Sequence, residues 1–118
     1  SNYFVFKTLG SQKSLSFLKI ADTIVGNSSS GILEMPAFKK PTINIGNRQL
    51  GRIHSNSIIN VSCNRSLIKK KIDFIYSKKF NGKNTTNSFK KKNTSKKIIS
   101  ILKNINLQKY KNKKFYDI

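Results

Sequence analysis

The stretch Thr23-Ile24-Val25-Gly26-Asn27-Ser28-Ser29-Ser30-Gly31-Ile32-Leu33-Glu34-Met35-Pro36, continued by Pro41-Thr42-Ile43-Asn44-Ile45, decides the fold class. Residues 23–25 are a short β-branched run, the composition of a buried strand. A loop of small residues comes next and runs into a helix that opens at Ile32. Pro36 removes one helical hydrogen bond and crowds the preceding turn, so the helix is expected to be short or kinked and to end near Phe38. Pro41 breaks the chain again, and residues 42–45 read as a second strand.

The same alternation extends outward in both directions. Residues 3–7 read as a strand, residues 8–11 as a turn in which Ser11 caps the next helix, and residues 12–20 as that short helix, with Leu15 and Leu18 on one face. Residues 46–52 form a loop and residues 57–61 a last strand. Ile68, Ile72, Ile75 and Tyr76 then follow helical spacing, and Ile98, Leu102 and Ile105 give a second stripe with Thr94 or Ser95 as its cap. Residues 80–93, rich in Asn, Lys, Thr and Gly, read as a loop. The expected fold is α/β, a Rossmann-like parallel sheet with flanking helices. The lobe is assigned to residues 1–105, and residues 106–118 to a basic C-terminal tail.

At 118 residues the chain has one-domain length, and its hydrophobic fraction of 36% predicts a thin core. The formal net charge is +20, which invites a nucleic-acid reading. The charge is uneven, however: 7 of the 24 Lys and Arg lie in residues 1–63 and 17 in residues 64–118. Such a reading needs aromatics interleaved with the basic residues. Near Lys69-Lys70-Lys71 and Lys90-Lys91-Lys92 they are few, and Tyr110, Phe115 and Tyr116 belong to the tail. The abundance of Lys, Asn and Ile is also what compositional drift produces. A basic nucleic-acid-binding module therefore stands as the alternative reading, and no nucleic-acid partner is expected. The lone Cys63 forms no internal disulfide and reads as a buried or incidental thiol in a reducing, cytoplasmic setting. No apolar run approaches the roughly 20 residues of a membrane span, so no membrane partner is expected. The chain opens on Ser1 and an abrupt strand-like run, as a piece of something longer would.

The chemistry concentrates between Val25 and Arg52. A helix start offers amide N–H groups without internal partners, and small residues let an anion approach them. Three serine hydroxyls add donors. The loop is not a P-loop, since no Gly-Lys-Ser/Thr comes after it, nor is it the dinucleotide glycine fingerprint. Taken alone, the serines are equally well read as helix caps. Glu34 is the only acid in residues 23–72 and lies within about one and a half turns of the serines. A carboxylate there accepts hydrogen bonds from vicinal hydroxyls such as those of a ribose, or serves as an ordinary first-turn acid. Arg48 and Arg52, in the loop after the second strand, suit a diphosphate, or are solvated charges. His54 reads as a surface-loop histidine.

Val25-Gly26-Asn27-Ser28-Ser29-Ser30-Gly31-Ile32 with Glu34 and Pro36, followed by Pro41-Thr42-Ile43-Asn44-Ile45-Gly46-Asn47-Arg48-Gln49 and Gly51-Arg52, resembles the hydrolysing UDP-N-acetylglucosamine 2-epimerases. The resemblance runs from about Phe4 to Leu102. Non-hydrolysing relatives carry a Ser-Gly-Gly loop followed by two acids, whereas this chain has Ser28-Ser29-Ser30 and one acid. The resemblance implies the C-terminal lobe of a two-lobed, GT-B-like epimerase that binds UDP or a UDP-N-acetylhexosamine. By the same token Ser28, Ser29, Ser30 and Gly31 hold the diphosphate, Glu34 the ribose, and Arg48 lies in the nucleotide site. Residues 9–15 flank the uracil, and Arg52 occupies a motif position without an assigned role.

The implied reaction converts a UDP-N-acetylhexosamine and water to UDP and the C2-inverted sugar, supplying amino sugars of the sialic-acid type. Its acid and base groups lie mainly in the absent N-terminal lobe, so no catalytic residue, metal or cofactor is assigned to this chain. The isolated chain is expected to be inactive. A full-length protein is expected to associate into a homo-oligomer, largely through that other lobe. Lys39-Lys40 depart from the small residue or glycine usual in the family.

Overall fold

Thr42-Ile43-Asn44-Ile45 forms the middle strand, and the other elements are arranged about it. The structure, a computed structural model, describes residues 2–77, 80–106 and 108. In chain order the elements are α1 (Gly10–Ile20), β1 (Ile24–Gly26), α2 (Ser29–Leu33), a 3-10 turn (Met35–Phe38), β2 (Thr42–Ile45), β3 (Ile58–Val61), α3 (Arg65–Tyr76), a second 3-10 turn (Gly82–Asn84) and α4 (Thr94–Asn104). Among the described residues the sheet has the order β1-β2-β3, and both pairings are parallel. Thr42 stands opposite Ile24 on one side and Ile58 on the other. The expected α/β, Rossmann-like parallel sheet with flanking helices is what the chain forms.

Local sequence explains the joints. The helix expected from Ile32 begins earlier, at Ser29, and ends at Leu33. Pro36 then sits at the start of the 3-10 turn, where its missing N–H leaves no bond unmade. The chain leaves that turn through Lys39 in the left-handed conformation, φ 57°. That geometry strains a residue with a Cβ and suits glycine. A glycine, one of the residues the resemblance leads one to expect there, would adopt it without strain. The neighbouring Lys40 caps a helix. Its Nζ donates to the carbonyls of Lys19 and Ala21, each at 2.6 Å, at the C-terminus of α1. A cation placed there meets unpaired carbonyls and the negative end of the helix dipole.

α2 lies close on the sheet because residue 31 has no side chain. A Cβ at Gly31 would come within 2.6 Å of Thr42 Cγ2, and Thr42 Oγ1 donates to the Gly31 carbonyl at 2.8 Å. This approach buries Ile32, Met35 and Ile43 completely, and Ile75 of α3 joins them as a buried residue. The core is thin, as the composition predicts. Polar side chains (Thr42, Asn44, Gln49, Ser55 and Ser57) make up much of the buried set.

Several expectations need correction. Residues 3–7 form no strand; Tyr3, Phe4, Val5 and Phe6 are exposed. A strand exists only by pairing, and β-propensity without a partner does not make one. α1 begins two residues before expected, at Gly10, and Ser11 does not cap it, since Leu9 holds the N-cap position without a side-chain bond. α4 is preceded by Asn93 in the left-handed conformation. Neither Thr94 nor Ser95 is its cap, and the Thr94 hydroxyl donates instead to the Lys91 carbonyl. On α3, Ile68 and Ile72 are half-buried, while Tyr76 is exposed. The loop of residues 80–93 is stitched down: the Asn56 amide donates to the Asn84 carbonyl at 2.9 Å, and Asn56 Oδ1 accepts from the Thr86 amide at 3.0 Å. Of the two readings of Cys63, buried or incidental, the exposed thiol leaves the second. Except for Asn106 and Gln108, the basic tail lies outside the described residues. No helix among the described residues is long and apolar enough to cross a membrane.

Candidate functional site

Parallel strands deliver their loops to the same edge of the sheet, and in open α/β sheets that edge is where ligands sit. Here β1 ends at Gly26 and feeds the serine loop, while β2 ends at Ile45 and feeds the arginine loop. The two loops are joined directly. Gln49 Nε2 donates to the Asn27 carbonyl at 2.7 Å. Asn27 precedes Ser28 and Gln49 comes after Arg48, so one hydrogen bond ties the neighbours of the two candidate residues together.

Ser28 is the N-cap of α2, and its hydroxyl oxygen accepts from the Ser30 amide at 3.3 Å. The capping reading of the serines therefore applies to Ser28. It leaves the Ser28 hydroxyl proton available to an acceptor. Ser28 and Ser29 are exposed, Ser30 is half-buried and Gly31 is buried. Gly31 thus serves the packing against Thr42 described above. α2 has only five residues and gives way at Glu34, so its dipole is short and the serine donors carry more of any anion binding.

Glu34 stands at the junction of α2 and the 3-10 turn and is half-buried. Among the described residues the ion pair found is Lys69–Asp73, at 2.8 Å on the exposed face of α3; Glu34 is not in it. Arg48 and Arg52 are exposed. No cluster of three or more His, Cys, Asp or Glu side chains occurs among the described residues. Two hollows lie away from these loops. One of 330 Å³ is lined by residues including Asp22, Lys40 and Tyr76, and one of 850 Å³ by residues including Tyr3, Cys63 and Ile68. In this chain the candidate site is an open edge.

Beneath that edge lies a polar network that the sequence reading does not anticipate. Asn44 and Asn60 stand opposite each other in the β2–β3 register, and Asn44 Nδ2 donates to Asn60 Oδ1 at 2.8 Å. Asn60 Nδ2 lies 3.4 Å from His54 Nδ1, and His54 Nε2 lies 3.2 Å from the Gln49 carbonyl oxygen. His54 is therefore a half-buried linking residue, not a free surface histidine. An amide NH₂ only donates and a carbonyl only accepts, so a neutral ring with its proton on Nε2 satisfies both contacts. Gln49 and Asn44 are each 2% exposed, and each keeps one buried side-chain oxygen, Oε1 and Oδ1, without a partner. Single polar residues on strands and in loops carry no periodicity. The available signal is that Asn44 and Gln49 both lie inside the motif that carries the resemblance.

Comparison with known proteins identifies the family. The sequence profile for UDP-N-acetylglucosamine 2-epimerase matches residues 1–103. The GDP/UDP-N,N'-diacetylbacillosamine 2-epimerase (hydrolyzing) of Campylobacter jejuni is 45% identical over 117 residues, which is 97% of this chain and 30% of that protein. Polysialic acid biosynthesis protein P7 of Escherichia coli is 35% identical over 114 residues, 94% of this chain and 29% of that protein. A UDP-N-acetylglucosamine 2-epimerase of Neisseria meningitidis is 40% identical over 57 residues, 48% of this chain and 15% of that protein. The chain thus spans less than a third of the length of these curated relatives. With the parallel sheet, the serine loop and the arginine loop in place, the match over residues 1–103 means that the chain belongs to the UDP-N-acetylglucosamine 2-epimerase family.

Proposed function

We propose that this chain is the nucleotide-binding part of a hydrolysing UDP-N-acetylhexosamine 2-epimerase. Ser28, Ser29 and Ser30 receive the diphosphate, the buried Gly31 lets their loop lie close to the sheet, Glu34 receives the ribose hydroxyls, and Arg48 the nucleotide's negative charge. Arg52, four residues on in the same exposed loop, adds positive potential. The observation that carries this reading is the Gln49–Asn27 hydrogen bond, which sets the arginine loop against the serine loop. Serine hydroxyls and a guanidinium converging from two strand ends form a donor set matched to a diphosphate.

The whole enzyme would convert a UDP-N-acetylhexosamine and water to UDP and the free C2-inverted sugar. UDP-N-acetylglucosamine and UDP-diacetylbacillosamine are the substrates named for relatives. Proton transfer at the sugar needs an acid and a base within hydrogen-bond reach. This chain offers no such pair at the loops, because both ring nitrogens of His54 are committed to neighbours. Residues 1–105 act as the binding lobe, the partner is the absent N-terminal lobe, and the isolated chain binds without turning over. Calorimetry with UDP and with uridine tests the reading. UDP is expected to bind and uridine to bind at least tenfold more weakly, since the diphosphate meets the serines and Arg48. Equal affinities would remove the diphosphate assignment.

A further inference from the structure

The buried side of the site contains groups to which the proposed binding gives no contact with the nucleotide. Gln49 is almost fully buried, yet sits in the connection between β2 and β3 next to an exposed arginine. Its donor is spent on a backbone carbonyl, while its Oε1 is buried without a partner. A buried, unpaired amide oxygen is costly, so an amide here needs a reason. Asn44 repeats the pattern: its donor is used on Asn60 and its Oδ1 is left alone.

The direction of the bonds supplies the reason. With the ring proton on Nε2, donation runs from Asn44 to Asn60, from Asn60 to His54 Nδ1, and from His54 Nε2 to the Gln49 carbonyl. From Gln49 the side chain donates onward to Asn27, the residue before Ser28. Each step uses a donor, and the line begins on strands held in register and ends at the serine loop. Exchanging Gln49 for an apolar residue of equal size would leave the Asn27 carbonyl unpaired and release the loop.

We propose that Gln49, supported by His54 in its Nε2-protonated form, is a positioning residue that sets the serine loop against Arg48 for nucleotide binding. This inference rests on the nucleotide-binding reading above. Neither Gln49 nor His54 touches the nucleotide. Gln49 holds the spacing between Ser28 and Arg48, and His54 holds the backbone of Gln49.

The test is an NMR titration of the ¹⁵N-labelled chain with UDP, together with Gln49→Met and His54→Phe. The neutral His54 ring is expected to be the Nε2-protonated tautomer, and its ring signals are expected to move as UDP binds. Gln49→Met keeps side-chain length and loses the donor. It is expected to weaken UDP about tenfold with amide dispersion retained, and to abolish the response of the His54 ring. His54→Phe removes only the support and is expected to weaken UDP about threefold, which keeps the test decisive if Gln49→Met does not fold. A proton on Nδ1, or wild-type affinity in a folded variant, would overturn the relay while leaving the nucleotide site intact. A wild-type chain whose serine loop and Arg48 ignore UDP would overturn the binding reading and the relay together.

Discussion

Two regions of this chain have similar proportions of apolar residues and opposite fates. Between Gly31 and Ser57 lies every buried residue among those described except Ile75. α4, with Ile98, Ile99, Ile101 and Leu102, buries none of its side chains. The first region is closed by pairing and close approach: a strand flanked on both sides, a glycine against Thr42, and polar side chains that satisfy loop carbonyls. The second has an apolar stripe of correct period that the described residues leave half or more exposed. An amphipathic pattern states what a helix is able to bury, and a facing surface decides whether it does.

The largest effect expected from this contrast is on stability. Ile43→Ala, at a fully buried position in the middle strand, is expected to cost about 2–5 kcal/mol and to unfold much of the population. Ile98→Ala, at a position 51% exposed on α4, is expected to cost less than about 0.5 kcal/mol. Denaturant melts of the two variants check this, and equal costs would erase the distinction between the regions.

Within the first region, binding and stability are expected to separate. Arg48 is exposed, so Arg48→Ala should leave the melt unchanged. It should weaken UDP by more than the roughly 1 kcal/mol of an exposed ion pair. Calorimetry beside a thermal melt reads both, and unchanged affinity would take Arg48 out of the site. The smallest effect has the opposite sign. Lys39→Gly relieves a left-handed residue at the turn before β2 and is expected to stabilise by about 0.5–1 kcal/mol in the same melt. A loss of stability would mean that Lys39 makes a compensating contact.

Legibility followed the range of the interaction that fixes each element. β2 is readable because four residues after Pro41 carry their own preference and their own stop. The kink at Glu34 and Pro36 is readable because proline acts on the adjacent turn. α3 is readable because Ile68, Ile72 and Ile75 repeat at helical spacing. Residues 3–7 mislead for the converse reason: their preference for a strand is real, but pairing is a long-range event and supplies no partner here. At the site, the serine loop, Glu34 and Arg48 were marked by residue type and by the family pattern. The Asn44–Asn60–His54–Gln49 line was not, because each residue is an unremarkable polar letter until the register of β2 and β3 sets two of them side by side. The departure at Lys39-Lys40 was visible as a departure, while its meaning, a strained turn and a helix cap, needed the backbone.

The central claim is that the serine loop and Arg48 form one nucleotide site. An amide titration with UDP, then with a short oligonucleotide at low and moderate salt, tests it most directly. The account predicts UDP-dependent shifts at residues 28–31 and at Arg48, with little response there to the oligonucleotide. Silence at those residues with UDP, accompanied by salt-sensitive shifts across the basic residues from Arg65 to Lys103 on adding oligonucleotide, would contradict it.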